Sequence, residues 1–311
     1  MLTVLIILVG LVGALMVWTQ IMARQAEAAV PRAGKLHPVN GGAIHYVEIG
    51  PLGAPVLVMI HGLSAQLQHF TYGMTDDLRD DFRLLIVDRP GCGYSTRDGA
   101  GMARLDEQAR MLWQFLDERG IDRPVLVGHS LGGALALNMA LAHPDKAGAL
   151  ALIAPLTQAE QEMNPIFKPL VVRVGWLRWL IGHTISAPMG KFTKDKLLEA
   201  AFAPEPPVND FMERAAAILG MRPKGYIGPS EDLVMLETHI PVQAARYDGL
   251  KVPGGVLFGA EDPLLSASVH GKPMQAFGLD YEELPKRGHM LPITAPQICA
   301  GFVRRMAEKV Q

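Results

Sequence analysis

Short apolar runs recur along the chain between glycines and prolines, at Ala43–Ile49, Val56–Ile60, Leu84–Val87, Val125–Val127, Ala149–Ile153 and Val256–Phe258, and Tyr281–Leu284 near the C-terminus is strand-like as well. Runs of this length with such boundaries predict strands. Leu84–Val87, Val125–Val127 and Ala149–Ile153 are apolar at every position, the signature of a parallel sheet covered on both faces. Helical periodicity fills the gaps. Leu105, Ala109, Leu112 and Leu116 fall on one face of a helix that Gly120 stops. Leu131–His143 reads as a second helix, ended by Pro144, and Ile298, Phe302 and Met306 mark a last one. Strands alternating with helices predict an α/β fold, a mostly parallel sheet flanked by helices and joined by right-handed crossovers.

The rhythm breaks between about 157 and 245. Helical stretches at Leu170–Ile181 and Phe211–Leu219 are separated there by segments containing Pro188, Pro204, Pro206, Pro207, Pro223 and Pro229, and no strand pattern is found. This predicts a helical insertion between two strands. At the other end of the chain, the 21 residues from Leu2 to Met22 carry no charged side chain. They reach about 30 Å as a helix, enough to cross a hydrocarbon core. Residues 1–23 are therefore expected to be a transmembrane anchor or a signal segment, 24–36 a linker, and 37–311 the main domain. Ala26-Glu27-Ala28 resembles a signal-cleavage site, whereas the absence of Lys or Arg before the apolar run favours an uncleaved anchor. Arg24, Arg32 and Lys35 follow the run and lean toward a cytoplasmic domain; export after cleavage is the alternative.

Composition narrows the function classes. Hydrophobic residues make up 49% and charged residues 19% of 311, which excludes a disordered chain. A formal charge of −2 argues against nucleic acid as a partner. Cys92 and Cys299 lie outside any metal-ligand spacing, so neither a disulfide scaffold nor a cysteine zinc site is expected. No glycine-rich phosphate motif occurs.

The chemistry concentrates at Gly128-His129-Ser130-Leu131-Gly132, a G-x-S-x-G sequence between an apolar strand and an Ala/Leu-rich helix. Small residues let strand and helix approach closely there, and the turn exposes the serine hydroxyl above the sheet. The turn also sets Ser130 at a helix N-terminus, which favours developing negative charge. An ordinary glycine-rich turn with Ser130 as a helix cap is the structural alternative.

With this elbow the sequence resembles the α/β-hydrolase family of serine hydrolases over roughly residues 40–311. His61-Gly62-Leu63 stands where that family places its first oxyanion-hole donor, so the resemblance implies the backbone N–H groups of Leu63 and Leu131 as the hole. Asp88-Arg89-Pro90-Gly91-Cys92-Gly93-Tyr94-Ser95 resembles a structural turn of the family, with Cys92 packed rather than reactive. Gly288-His289, between the last strand and the last helix, matches the family's catalytic histidine, and Asp262 in Gly259-Ala260-Glu261-Asp262-Pro263 matches its acid. Glu261 is the alternative if the register differs by one. His270 is expected in a solvated surface helix. The order Ser130, Asp262, His289 is that of α/β-hydrolases. A serine at the elbow sets the chain apart from haloalkane dehalogenases and epoxide hydrolases of the same fold, which carry Asp there.

The resemblance implies an acyl-enzyme on Ser130 and requires no cofactor or metal. The insertion would be a cap, and its Val171–Ile181 stretch, apolar with Trp176, Trp179 and two arginines, reads as an acyl-chain pocket, a membrane-contacting lid or plain packing. The expected activity is hydrolysis of a carboxylic ester, apolar or monoacylglycerol-like, with a small-molecule or lipid ester as substrate and the membrane as partner through the N-terminal segment. A carbon–carbon, lactone, amide or thioester hydrolase on the same scaffold is the first alternative. A non-catalytic membrane-tethered binding protein is the second.

Overall fold

A computed structural model describes residues 1–160 and 162–310. Its centre is a sheet of nine strands: β1 Lys35–Val39, β2 Gly42–Ile49, β3 Val56–Ile60, β4 Arg83–Val87, β5 Thr96–Arg97, β6 Val125–His129, β7 Ala149–Ile153, β8 Gly254–Gly259 and β9 Asp280–Leu284. The strand order is β1-β2-β4-β3-β6-β7-β8-β9, with β5 paired to β2. From β4 to β9 every neighbour is parallel, while β1, β2 and β5 pair antiparallel at one edge. All seven predicted strands form, and β1 and β5 join them at the edge. The polar pattern of β1, only one residue of which is buried, explains why its apolar signal was weak.

Among the described residues, the seven helices of nine residues or more are α1 Leu2–Ala29, α2 Leu105–Glu118, α3 Leu131–Ala142, α4 Gly175–His183, α5 Ser186–Phe202, α6 Pro223–Ala244 and α7 Pro296–Ala307. Because side chains alternate along a strand, each central strand feeds two cores. Val58, Ile60, Leu85, Val87, Leu126, Leu150, Leu152 and Val256 pack with α2 and α3 on one face. Leu57, Met59, Leu84, Ile86, Val125, Val127, Ala151 and Leu257 pack with α7 on the other.

The insertion between β7 and β8 carries α4, α5 and α6. It differs from the sequence expectation in its boundaries. Phe211–Leu219 is not one helix but two short turns, Phe211–Arg214 and Ala217–Met221, separated at Ala216, whose φ is +59°. Pro188, Pro223 and Pro229, expected in loops, lie inside helices. The first two sit in a first turn, where the missing N–H has no intrahelical partner to lose. Pro229 is interior but buried, and packing holds its helix together.

Helix α1 continues to Ala29, past the end of the apolar run, and β1 begins at Lys35. Thr19, Ala23 and Ala26 form a buried stripe at helical spacing. The stripe packs on the insertion, against α4, α5 and the Ala217–Met221 turn. The segment expected as a linker thus begins as helix, over Arg24–Ala29, and ends in the first residues of β1.

Candidate active site

Five of the loops that leave the carboxyl ends of parallel strands bring the chemistry to one edge of the sheet, where open α/β sheets place their ligands. His61 follows β3, Ser130 follows β6, Ala154 and Pro155 follow β7, Asp262 follows β8, and His289 follows β9. Ser130 sits at φ +54° and ψ −121°, a conformation that L residues adopt only when their surroundings over-determine it. Close packing supplies that constraint. A Cβ on Gly132 would lie 2.0 Å from the Ile60 carbonyl oxygen, and one on Gly128 would lie 2.5 Å from the Gly132 oxygen. Helix α3 therefore starts hard against β3 and β6, and Ser130 is lifted out of the sheet at its N-terminus.

His289 lies beneath the insertion with its side chain almost fully buried, and its Nδ1 is 2.7 Å from Asp262 Oδ2. The other carboxylate oxygen accepts from the Leu264 and Leu265 amides at 2.8 and 2.9 Å. Three bonds thus fix the aspartate, and it in turn fixes the ring. Glu261 points to solvent, so the register favours Asp262 of the two carboxylates. Ala154 offers no carboxylate after β7.

Ser130 and His289 line one cavity of about 260 Å³ together with Leu63 and Leu131. The Ser130 hydroxyl has no hydrogen-bond partner among the described residues, His289 included. Such bonds often tighten only with substrate present. The amides of Leu63 and Leu131 have no acceptor among the described residues either. Leu131 opens α3, where N–H groups are free by construction. The remaining lining is mostly apolar, led by Leu156, Met163, Phe167, Leu233, Leu236 and Ile240, with Gln158, Glu160 and Glu237 as its polar side chains.

Neutral histidines lie around His289. Burial, together with His289 nearby, pushes His129 down to about 3, so it stays uncharged and donates from Nε2 to the His289 carbonyl at 3.0 Å. Burial and then Arg89 push His61 down to about 4. His69 is likewise held well below the ordinary histidine range, chiefly by burial. His270 is a correction to the sequence expectation: it is fully buried, accepts from the Thr157 amide at 3.2 Å and contacts Glu160 at 3.1 Å. Its short helix is covered by the Thr157–Glu160 loop. Cys92 is buried too, and burial pushes its thiol up to about 11, consistent with packing rather than reaction.

Sequence reasoning missed one buried ionic network. Arg89 is fully buried; its Nε donates to the His61 carbonyl at 3.0 Å, and Nη2 donates to the Gly62 carbonyl at 3.2 Å. Its Nη1 reaches Gln108 Oε1 at 3.0 Å and Asp232 Oδ2 at 2.8 Å. Asp232 lies on α6 of the insertion, and Arg97 pairs with its second oxygen. The loop bearing Leu63 is thereby tied to the cap. Burial pushes the Asp232 carboxyl up, but Arg97 and Arg89 outweigh it and hold it below the usual carboxylate range. Its contribution to stability is therefore present at neutral pH and is lost as pH falls below that range. Asp232→Ala leaves the buried Arg89 guanidinium without a carboxylate, while Arg97 keeps Glu231 at 2.9 Å, and should cost about 3–5 kcal/mol, read as a lower unfolding midpoint in urea at pH 7. An unchanged midpoint would show that the network carries no net stability.

Comparison with known proteins agrees with this architecture. A family model described as alpha/beta hydrolase fold matches residues 55–180. Among solved structures, a membrane phospholipase A superposes with a TM-score of 0.70 at 21% identity, covering 99% of this chain and 97% of that one. The chain carries the α/β-hydrolase fold. A carboxylesterase from Bacillus subtilis shares it at a TM-score of 0.69 and 16% identity, over 94% of this chain and 98% of that one. In sequence, a 2-hydroxy-6-oxononadienedioate/2-hydroxy-6-oxononatrienedioate hydrolase of Paraburkholderia phymatum is 32% identical over 126 residues, 40% of this chain and 43% of that protein. The chain spans 40%, 53% and 34% of the length of three other curated relatives it matches. The matched segment 55–180 contains β3, β4, β6 and β7, and thus the Leu63 and Ser130 loops of this α/β-hydrolase fold, while Asp262 and His289 lie beyond it.

Proposed function

We propose that this chain is a serine hydrolase that cleaves an uncharged carboxylic ester with an apolar acyl group, held at a membrane by α1. The observation that carries the proposal is the His289–Asp262 pair, 2.7 Å apart, at a cavity shared with a left-handed Ser130 and two unengaged amides. Asp262 accepts from Nδ1 of His289, which leaves Nε2 unprotonated as the base. That nitrogen takes the Ser130 proton as Oγ attacks the ester carbonyl, and the Leu63 and Leu131 amides receive the oxyanion. His289 then returns the proton to the leaving alcohol; water, deprotonated by the same nitrogen, releases the acid. Each amide donor contributes about 2.7–4 kcal/mol to the transition state.

The lining supports the substrate class. Among the described residues no Lys or Arg lines the cavity, and Glu160 and Glu237 do. A dianionic substrate, as the name of the Paraburkholderia relative implies for that enzyme, would meet no cation there. The test runs p-nitrophenyl esters of increasing acyl length beside a vinylogous diketone dicarboxylate, after titrating the protein with a fluorophosphonate probe. Stoichiometric labelling with turnover of medium-chain esters only is expected. Diketone cleavage would move the assignment to carbon–carbon bonds, and no labelling of folded protein would favour a binding role.

Membrane attachment is supported by the 28-residue length of α1 and by its free, apolar first half. Cleavage at Ala26-Glu27-Ala28 would remove the stripe that docks on the cap, which favours an uncleaved anchor. Arg24, Arg32 and Lys35 after the apolar run favour a cytoplasmic catalytic domain.

A further inference from the structure

The docking of α1 fixes where the cap stands relative to a bilayer. Before Thr19, the helix offers Leu2–Trp18 as an apolar stretch that is exposed except at the half-buried Leu15 and Met16. At 1.5 Å per residue this reaches about 25 Å, short of a hydrocarbon core of about 30 Å. A complete span must continue to about Met22, and thus include the turn that is already seated on the cap. Thr19 Oγ1 donates to the Thr184 carbonyl at 2.8 Å, at the junction of α4 and α5. That junction is carried to the depth at which α1 leaves the lipid.

The cap surface beside this junction is apolar and uncovered. Trp176 is 70% exposed and Phe192 78%, and Trp179, Ile185 and Met189 are exposed with them. Scattered single apolar residues on a surface need no explanation, but Trp176 and Trp179 share a face of α4, and Ile185, Met189 and Phe192 follow one another at helical spacing into α5. Tryptophan is the residue that bilayer interfaces favour. The geometry points to the α4–α5 face of the cap as a membrane-binding surface, seated in the same leaflet from which α1 emerges. This inference rests on the anchoring role proposed for α1. The cap is then a second attachment point, and it orients the catalytic domain on the bilayer instead of leaving it to swing on one helix.

The test uses the full chain reconstituted in phosphatidylcholine vesicles brominated on the acyl chains, which quench tryptophan on contact. The chain has four tryptophans, at 18, 113, 176 and 179. Trp113 is buried in the core and serves as the unquenched reference, while Trp18 reports α1 itself. The wild type should lose at least twice as much emission as the variant Trp176→Phe/Trp179→Phe, whose residual quenching comes from Trp18. Equal quenching of the two proteins would overturn the cap assignment while leaving the anchor intact. No quenching of either would instead remove the anchor on which it rests. A second variant, Trp176→Ser/Phe192→Ser, should hydrolyse a soluble short-chain ester at the wild-type rate and a vesicle-borne ester at least tenfold more slowly. Equal loss on both substrates would contradict the assignment, as would concentration-dependent crosslinking of this face to a second copy in vesicles.

Discussion

Ser130→Ala should lower kcat for p-nitrophenyl butyrate by about a million-fold, with the unfolding midpoint unchanged. The size follows from the behaviour of nucleophile–base pairs that act as a unit, in which loss of the serine alone costs nearly all that loss of the whole set does, about 10⁶. The remainder comes from oxyanion donors and substrate binding, which the substitution leaves in place. Stability should hold for a structural reason. The Ser130 hydroxyl has no hydrogen-bond partner among the described residues, so its removal strands no buried group. Alanine meets the left-handed backbone at φ +54° with the same Cβ that serine has. Full turnover by the alanine enzyme would assign the attack to another group, and the oxyanion loop would need a different interpretation.

Much of this was legible in the sequence because it depends on local rules. Strands of the parallel region show as uniformly apolar runs, since both faces are covered, and the elbow shows as glycines, since only they let α3 start against β3. Asp262 and His289 were assigned by the resemblance, from motifs in the loops that follow β8 and β9, and their side chains lie 2.7 Å apart. What the sequence concealed depends on contacts between distant segments. Asp232 meets Arg89 across 143 positions, and nothing in the local composition of α6 marks it. Helices α5 and α6 were hidden by their prolines, whose tolerance at first-turn positions and in packed interiors is not a matter of spacing. His270 was placed in solvent because a four-residue helix gives no periodicity from which burial could be read. The docked half of α1 was masked for a related reason: its buried stripe is alanine and threonine, too small to register as an apolar face.

Asp262→Asn is the most discriminating test of the proposed triad, because it changes one atom and retains the shape of the site. The amide oxygen of asparagine can still accept from Leu264 and Leu265, as Oδ1 does at 2.8 and 2.9 Å. Its NH₂ group must then face His289. A donor opposite Nδ1 forces that nitrogen to be the acceptor and moves the ring proton to Nε2, the atom that has to receive the Ser130 proton. The imidazole keeps its place in the wrong tautomer. In the chymotrypsin-type triad the equivalent change lowers kcat by about 10⁴, and a fall of that order is expected here. Glu261→Gln supplies the control, since Glu261 is exposed; its rate should match the wild type. The reverse pattern, with Glu261→Gln inactive and Asp262→Asn fully active, would shift the acid by one residue. Loss in both with a lowered unfolding midpoint would indicate a damaged loop rather than a lost tautomer. Only the expected pair of results ties the 2.7 Å contact between Asp262 and His289 to the protonation state of the base.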